Sequence, residues 1–460
     1  MVFRQLIHDD LGCASYLVGD EEFGVAAVVD PKLDIDEYLR LADYLGLRIV
    51  AIFETHNHAD HVSGHGRLAA ATGAPIYINR IANPEYEHVA LEDGDEVAVG
   101  ALKIRALHTP GHRPEHTCFL LIDDSRSGDP WAVLTGDTLF VGDVARADLA
   151  VDAEEGARGM FRSLHSKLLT LPDNVEIWPA HLGGSLCGGP GMDMKVSSTI
   201  GFEKANQSLL AIEDEDEFVE VSTRNLPDQP PNFASIVEVN RGPLVESVSE
   251  APRLSPGQLE ELMAAGTMVV DVRAPADFDR SHIPGAVAIT ITGAGFGTRL
   301  AWLAGTDSPV AFVGDTTEDG ERAALLAAAI NTAPAVGVLE GGFDAWVAEG
   351  RPVDSIEPVT VHELYERWQP DGGRLQVLDV REPSAWREGH IPGSVNMPYR
   401  LIDSIPEGID PDRPVAAICG LGQRSAVAAS LLKRYGASEV LHVVDGGVGT
   451  WRRAGWPVES

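Results

Sequence analysis

Apolar residues over the first 240 positions fall in short runs broken by turns. VAAVVD (25–30), IVAIF (49–53), PIYI (75–78), KIRALH (103–108), TCFLLI (117–122), AVLTGD (132–137) and VEIWPA (175–180) predict strands, being rich in β-branched and aliphatic residues with polar or turn residues at their ends. GRLAAATG (66–73) and MFRSLHSKLL (160–169) carry helical spacing instead. Histidines and aspartates sit just beyond the strand ends, where rigid strands aim loops at one edge of an α/β fold. The Pro-rich, polar stretches RNLPDQPPN (224–232) and VNRGPLVESVSEAPRLSPG (239–257) predict the close of a first domain and a linker.

Beyond the linker the chain repeats itself. VVDVRAPADFDRSHIPGAVAI (269–289) returns as VLDVREPSAWREGHIPGSVNM (377–397), and VLEGGFDAWVAEGRPV (338–353) returns as VVDGGVGTWRRAGWPV (443–458). Each copy alternates strand and helix, which predicts a small parallel sheet covered by helices. The expected domains are therefore 1–245, 256–355 and 357–460. Aligning PVAFVG (309–314) with PVAAIC (414–419) sets Gly314 against Cys419, so the first copy lacks the sulfur, and its loop before Gly-Glu-Arg (320–322) is longer than the one before Gly-Gln-Arg (422–424).

Composition narrows the functions. A chain of 460 residues with 44% hydrophobic content can build a core in each of two or three domains. The formal charge of -35 argues against nucleic acid and anionic lipid as partners. MVFRQLIHDD has none of the features of a signal peptide, and no apolar stretch reaches membrane-spanning length, so the expected location is cytoplasmic. The four cysteines, Cys13, Cys118, Cys187 and Cys419, have no paired spacing, against a disulfide framework or a thiolate zinc site. Cys13 and Cys118 flank apolar runs and read as core.

The candidate chemistry lies in THNHADH (55–61), which places His56, His58, Asp60 and His61 on one tight loop. Three further residues stand at strand ends: His112 in TPGH, Asp137 in TGDT and His181 in PAH. Neutral imidazole and carboxylate in such density predict a metal centre. These motifs resemble the metallo-β-lactamase superfamily over about the first 240 residues. The resemblance implies an αββα sandwich with a metal site at the edge between its sheets, and it makes all seven residues ligands in the dinuclear zinc hydrolases. In the persulfide dioxygenase branch it implies one Fe(II) per chain on His56, His112 and Asp137, with His58, Asp60, His61 and His181 around it. Two histidines and one carboxylate leave positions open for O₂ and a sulfur ligand. GDTLFVGDVARADL (136–149), through Arg146 and Asp148, is similar to the dioxygenase stretch in which the arginine holds a carboxylate of the thiol carrier; a surface ion pair is the alternative for Arg146. LGGSLCGG (182–189) resembles dioxygenases fused to rhodanese domains, and leaves Cys187 either a buried structural thiol or a persulfide relay.

Cys419 closes the apolar run VAAI and opens CGLGQRS before the helical SAVAASLLKR. Backbone N–H groups and a helix N-terminus there favour a thiolate and an anionic persulfide, and Arg424 adds positive charge. DVREPSAW, GHIPGSVN, CGLGQRS and DGGVGTW resemble the rhodanese family over 358–460, while 256–355 resembles an inactive rhodanese. Catalysis is then expected of Cys419 and Arg424, and substrate binding of Gly420, Gly422 and Ser425. The two resemblances together imply oxidation of a low-molecular-weight thiol persulfide, of glutathione, coenzyme A or similar, to thiol and sulfite, coupled to sulfur transfer that makes or uses thiosulfate. A homo-oligomer is expected. The alternative is a dizinc hydrolase of hydroxyacylglutathione thioesters, of the glyoxalase II kind. A sensing or scaffolding role for the repeats is the third.

Overall fold

The computed structural model describes residues 1–8, 12–183, 185–189, 191–224, 226–293, 295–332, 334–368 and 373–460. The chain forms two compact units, Met1–Val248 with Ala329–Asn331, and Ser249–Ala328 with Thr332–Ser460. Among the described residues no helix is long and apolar enough to cross a membrane.

The first unit holds two six-stranded sheets. One runs in sequence order through β1 (Val2–His8), β2 (Cys13–Asp20), β3 (Val25–Val29), β4 (Arg48–Phe53), β5 (Ile76–Asn79) and β6 (Val89–Leu91). The other runs through β7 (Glu96–Val99), β8 (Leu102–His108), β9 (Thr117–Asp123), β10 (Pro130–Gly136), β11 (Glu176–Pro179) and β12 (Ser198–Thr199), again with sequence neighbours paired. Alternate residues serve different layers, as the period of two requires. Ala27, Val29 and Phe53 of the first sheet meet Phe119, Leu121 and Leu134 of the second in one buried cluster. Val28 and Ile52 point the other way, onto the helix Asp36–Leu45 through Tyr38 and Ala42. Cys118, Leu120 and Val133 likewise pack beneath the helix Ala153–Ser166 through Met160 and Leu164. The result is the expected αββα sandwich. The loops after β4, β8, β10 and β11 carry the four site motifs.

The second unit repeats one five-stranded parallel sheet. Its strands β13 (Arg253–Leu254), β14 (Met268–Asp271), β15 (Val287–Ala288), β16 (Val310–Val313) and β17 (Ala335–Leu339) lie in the order β13-β17-β16-β14-β15. The strands β18 (Glu357–Val359), β19 (Gln376–Asp379), β20 (Val395–Asn396), β21 (Val415–Ile418) and β22 (Val440–Val443) take the same order, β18-β22-β21-β19-β20. All of these pairings are parallel.

The repeated motifs have structural work to do, which explains why the copy without a cysteine keeps them. Arg273 closes on Asp271 at 2.7 Å and donates to Ser281 O, and Arg381 closes on Asp379 at 2.7 Å and donates to Gly389 O. His282 stacks on Phe278 at 3.9 Å and His390 on Trp386 at 3.6 Å, each bonded through Nδ1 to the carbonyl four residues back.

Asp379→Ala strands a buried guanidinium and is expected to cost ~3–5 kcal/mol, whereas Glu357→Ala, which breaks an exposed pair with Arg367, is expected to cost about 1 kcal/mol or less. Urea unfolding followed by tryptophan fluorescence checks the contrast; equal shifts in midpoint would contradict it.

Candidate metal centre and sulfur site

Three buried atoms converge at the sheet edge. His56 Nε2, His112 Nε2 and Asp137 Oδ2 lack a hydrogen-bond partner among the described residues, and His56, His112 and Asp137 offer ligand atoms within 4.8 Å of one another. Their other polar atoms are committed. Thr55 Oγ1 donates to Asp30 Oδ2 at 2.9 Å, so it accepts from His56 Nδ1 at 2.9 Å. Arg146 O accepts from His112 Nδ1 at 2.8 Å. Both rings therefore present an Nε2 lone pair, the usual way a supporting acceptor sets a metal-binding tautomer. Burial holds the pKa of His56 well below the usual histidine value, with His58 and His112 adding to the effect, and burial lowers that of His112 as well. Burial alone would raise the Asp137 carboxyl, yet the neighbouring His181 and His112 hold it down to about 2. Two neutral imidazoles and one carboxylate suit a divalent cation.

The other four predicted residues lie beside this trio in a different arrangement. His181 bridges two carboxylates, with Nδ1 2.7 Å from Asp137 Oδ1 and Nε2 2.8 Å from Asp60 Oδ2. His61 Nδ1 is 3.1 Å from the same Asp60 oxygen. His58 Nε2 faces Asp30 at 3.2 Å and Glu54 at 3.3 Å; burial opposes its charged form, but these carboxylates raise its pKa well above the usual value. Asp60 belongs to two further ligand-bearing groups, one with Cys13 and His61 and one with His181 and Cys187. Cys13 is buried, as core residues are, yet it borders the site. Cys187 is buried beside His181 and Asp60, and burial pushes its thiol up to about 12. Cys118 is core, its thiol also pushed up to about 12.

Arg146 is buried, with its fork closed on Asp148 at 2.7 and 2.8 Å and further donations to Leu186 O and Pro227 O. Sequence reasoning passed over His116. Its Nε2 accepts from Asp137 N at 2.9 Å and its Nδ1 meets the Thr109 and Thr138 hydroxyls, so it fixes the turn that presents Asp137. Gly136, at φ +50°, makes room, because a Cβ there would collide with His116 Nε2. Burial lowers the His116 pKa to about 3, consistent with its accepting role. Thr55, Asp30 and Glu54 were also unforeseen; only the fold brings β3 and β4 together around His56 and His58.

The second site forms at the end of β21. Gly422 N donates to Cys419 Sγ at 3.2 Å, and Ser425 Oγ lies 3.4 Å from the sulfur. The helix Gln423–Arg434 begins directly after Gly422, with its N-terminus under the loop. Gly447, at φ +43°, packs on the Cys419 carbonyl, and any side chain there would collide with it. The Gly-Gly pair of the repeat is thus one wall of the loop. In the first copy Gly342 packs in the same way on Asp315 O. Arg424 is half-buried, with Nη2 near Gly420.

Comparison with known proteins agrees with this architecture. The sequence profile of the metallo-beta-lactamase superfamily matches residues 8–181, and that of the rhodanese-like domain matches residues 255–349 and 360–454. "Persulfide dioxygenase ETHE1, mitochondrial" of Bos taurus is 33% identical over 185 residues, covering 39% of this chain and 68% of that protein. The chain belongs to the metallo-beta-lactamase superfamily. Two rhodanese-like domains follow its metallo-beta-lactamase domain. A "Hydroxyacylglutathione hydrolase" of Maricaulis maris is 33% identical over 168 residues, covering 36% of this chain and 60% of that one. The crystal structure of a "Metallo-beta-lactamase from Staphylococcus aureus subsp. aureus COL" matches with a TM-score of 0.64 at 29% identity, over 74% of this chain and 98% of that chain. Its coverage extends well past the metallo-beta-lactamase domain. Relationship to persulfide dioxygenases and possession of rhodanese-like domains tie the protein to sulfur metabolism.

Thr55→Val removes the acceptor that sets the His56 tautomer while keeping the side chain's shape. It is expected to weaken metal binding ~10–100-fold. Chelator competition measures this; unchanged affinity would mean that Thr55 does not orient the ligand.

Proposed function

We propose that the chain is an iron-dependent persulfide dioxygenase working with a rhodanese sulfurtransferase, built as domains 1–245, 256–355 and 357–460. The observation that carries this reading is the trio His56 Nε2, His112 Nε2 and Asp137 Oδ2, three buried atoms without a partner among the described residues. They would hold one Fe(II), while His181 spans Asp60 and Asp137, His61 Nδ1 lies against Asp60, and His58 faces Asp30 and Glu54. Ferrous iron supplies redox chemistry toward O₂ that zinc lacks.

The overall change is RSSH + O₂ + H₂O giving RSH, sulfite and two protons, with R a low-molecular-weight carrier such as glutathione or coenzyme A. Thr55 and the Arg146 carbonyl keep both imidazoles aimed inward. His116 holds the Asp137 backbone. His181 spans Asp60 and Asp137 and steadies the second oxygen of the Asp137 carboxylate. Arg146 also presents a guanidinium fork in which Asp148 now lies, and a carrier carboxylate has the same geometry.

At the other site the Cys419 thiolate attacks the outer sulfur of thiosulfate; an S–S bond to Cys419 forms, the S–S bond of thiosulfate breaks, and sulfite leaves with the electron pair. In reverse, sulfite takes sulfur from the Cys419 persulfide and regenerates the thiolate. Gly422 N–H and the helix N-terminus stabilise the anionic sulfur in both directions. Gly420 and Ser425 line the same loop, with Arg424 at its end. The first copy, with Gly314 in place of the cysteine, takes no sulfur.

The full chain is expected to purify with about one iron, and to consume O₂ and release sulfite in equal amounts from glutathione persulfide or coenzyme A persulfide. Cys419→Ser should retain sulfite formation and lose thiosulfate formation. Paired zinc, hydrolysis of S-acyl glutathione and no O₂ uptake would overturn the reading in favour of the hydrolase.

A further inference from the structure

Both rhodanese-like copies belong to one compact unit, and the cysteine-less copy reaches into the sulfur site of the other. The helix Gln423–Arg434 beneath Cys419 docks on the first copy. Ala288 N donates to Ser430 Oγ at 3.0 Å, Arg434 donates to Gly285 O at 2.8 Å, and Lys433 pairs with Asp354 at 3.1 Å. Deeper in, His442 places Nδ1 2.7 Å from Asp279 Oδ2 of the first copy and Nε2 2.8 Å from Gly422 O. Both side chains are fully buried, and Gly422 is the residue whose N–H faces the sulfur. An acid of the first copy thereby steadies the loop of the second.

Arg299 comes closest to the chemistry. It lies on the helix Phe296–Ala304 of the first copy, is 6% exposed, and donates from Nη1 to Gln423 Oε1 at 3.1 Å. Gln423 is the residue between Gly422 and Arg424. The backbone makes room for this guanidinium at Gly295, φ +91°, where a Cβ would stand 2.9 Å from Arg299 Nη1. Burial lowers the Arg299 pKa, and the groups that act on its charge are Tyr399, Arg424 and Cys419. The buried Tyr399 hydroxyl feels both guanidiniums in turn. Arg299 thus bonds to the residue that stands between Gly422, whose N–H faces the sulfur, and Arg424, so a guanidinium of the first copy meets the loop that holds Cys419. Thiosulfate arrives as a dianion and sulfite leaves as one, and a guanidinium fork matches the oxygens of either.

We propose that Arg299 of the cysteine-less copy is a substrate-binding residue of the Cys419 site, holding the oxygens of thiosulfate and sulfite while sulfur passes to and from the cysteine. The inference rests on the sulfur-transfer reading given above. It gives the first copy a function: completing the anion site of its neighbour.

The test uses the full chain and Arg299→Gln, with two readouts at Cys419. One is protection by sulfite against alkylation with iodoacetamide, followed by mass spectrometry of the Cys419 peptide; the other is sulfur loading from thiosulfate. In the variant, kcat/KM for thiosulfate should fall about tenfold or more and sulfite protection, read against each chain's own alkylation rate without sulfite, should disappear. Thiosulfate loading and sulfite protection both unchanged in the variant would overturn the proposal. A thiosulfate-soaked crystal of the unaltered chain tests it without any variant: oxyanion oxygens within hydrogen-bond distance of Arg299 support it, and an oxyanion held by Arg424 and backbone N–H groups alone overturns it. An unaltered chain that sulfite protects but that takes no sulfur from thiosulfate would sink the sulfur-transfer reading and leave the anion site standing.

Discussion

Three acceptor atoms buried face to face, with no donor among the described residues to satisfy them, set the terms for the first unit. Leaving a buried polar group unpaired costs about 1–3 kcal/mol, and here three such groups point at one another. A sandwich that hid them for nothing would be poorly designed; one that closes them around a divalent cation converts the penalty into binding free energy. The surrounding polar contacts follow from that constraint. Thr55 and the Arg146 carbonyl occupy the far nitrogens of His56 and His112, His116 grips the backbone of Asp137, and His181 occupies its second oxygen.

The sulfur site solves the opposite problem. There donors converge on a nearly buried sulfur: Gly422 N–H points at Cys419 Sγ and a helix starts directly after it. The copy with Gly314 in the cysteine's position braces the copy that has Cys419. The Asp279 to His442 contact and the Arg299 to Gln423 contact both cross from the copy without the cysteine to the copy with it.

The sequence disclosed the layers and the motif residues because those follow local rules. Strands such as β9, buried on both faces, show as continuous apolar runs, and a repeat is visible wherever both copies keep a structural device, as with Asp271–Arg273 and Asp379–Arg381. What it withheld depends on which loops meet. His116 stands before a strand like any capping residue, and nothing local says that its ring supports Asp137. The grouping of the seven candidate ligands is equally nonlocal: His56, His112 and Asp137 face one another, while Asp30 and Glu54 stand against His58. Two-residue strands such as β15 and β20 carry too few side chains to announce themselves. Asp279 left a trace: it aligns with Arg387, a charge reversal between copies, which fits a residue serving the interface.

Anomalous diffraction from crystals of the full chain, recorded on both sides of the iron and zinc absorption edges, tests the central claim most directly. A single peak, present at the iron edge, is expected within bonding distance of His56 Nε2, His112 Nε2 and Asp137 Oδ2. Two zinc peaks, the second among His58, Asp60, His61 and His181, would contradict it.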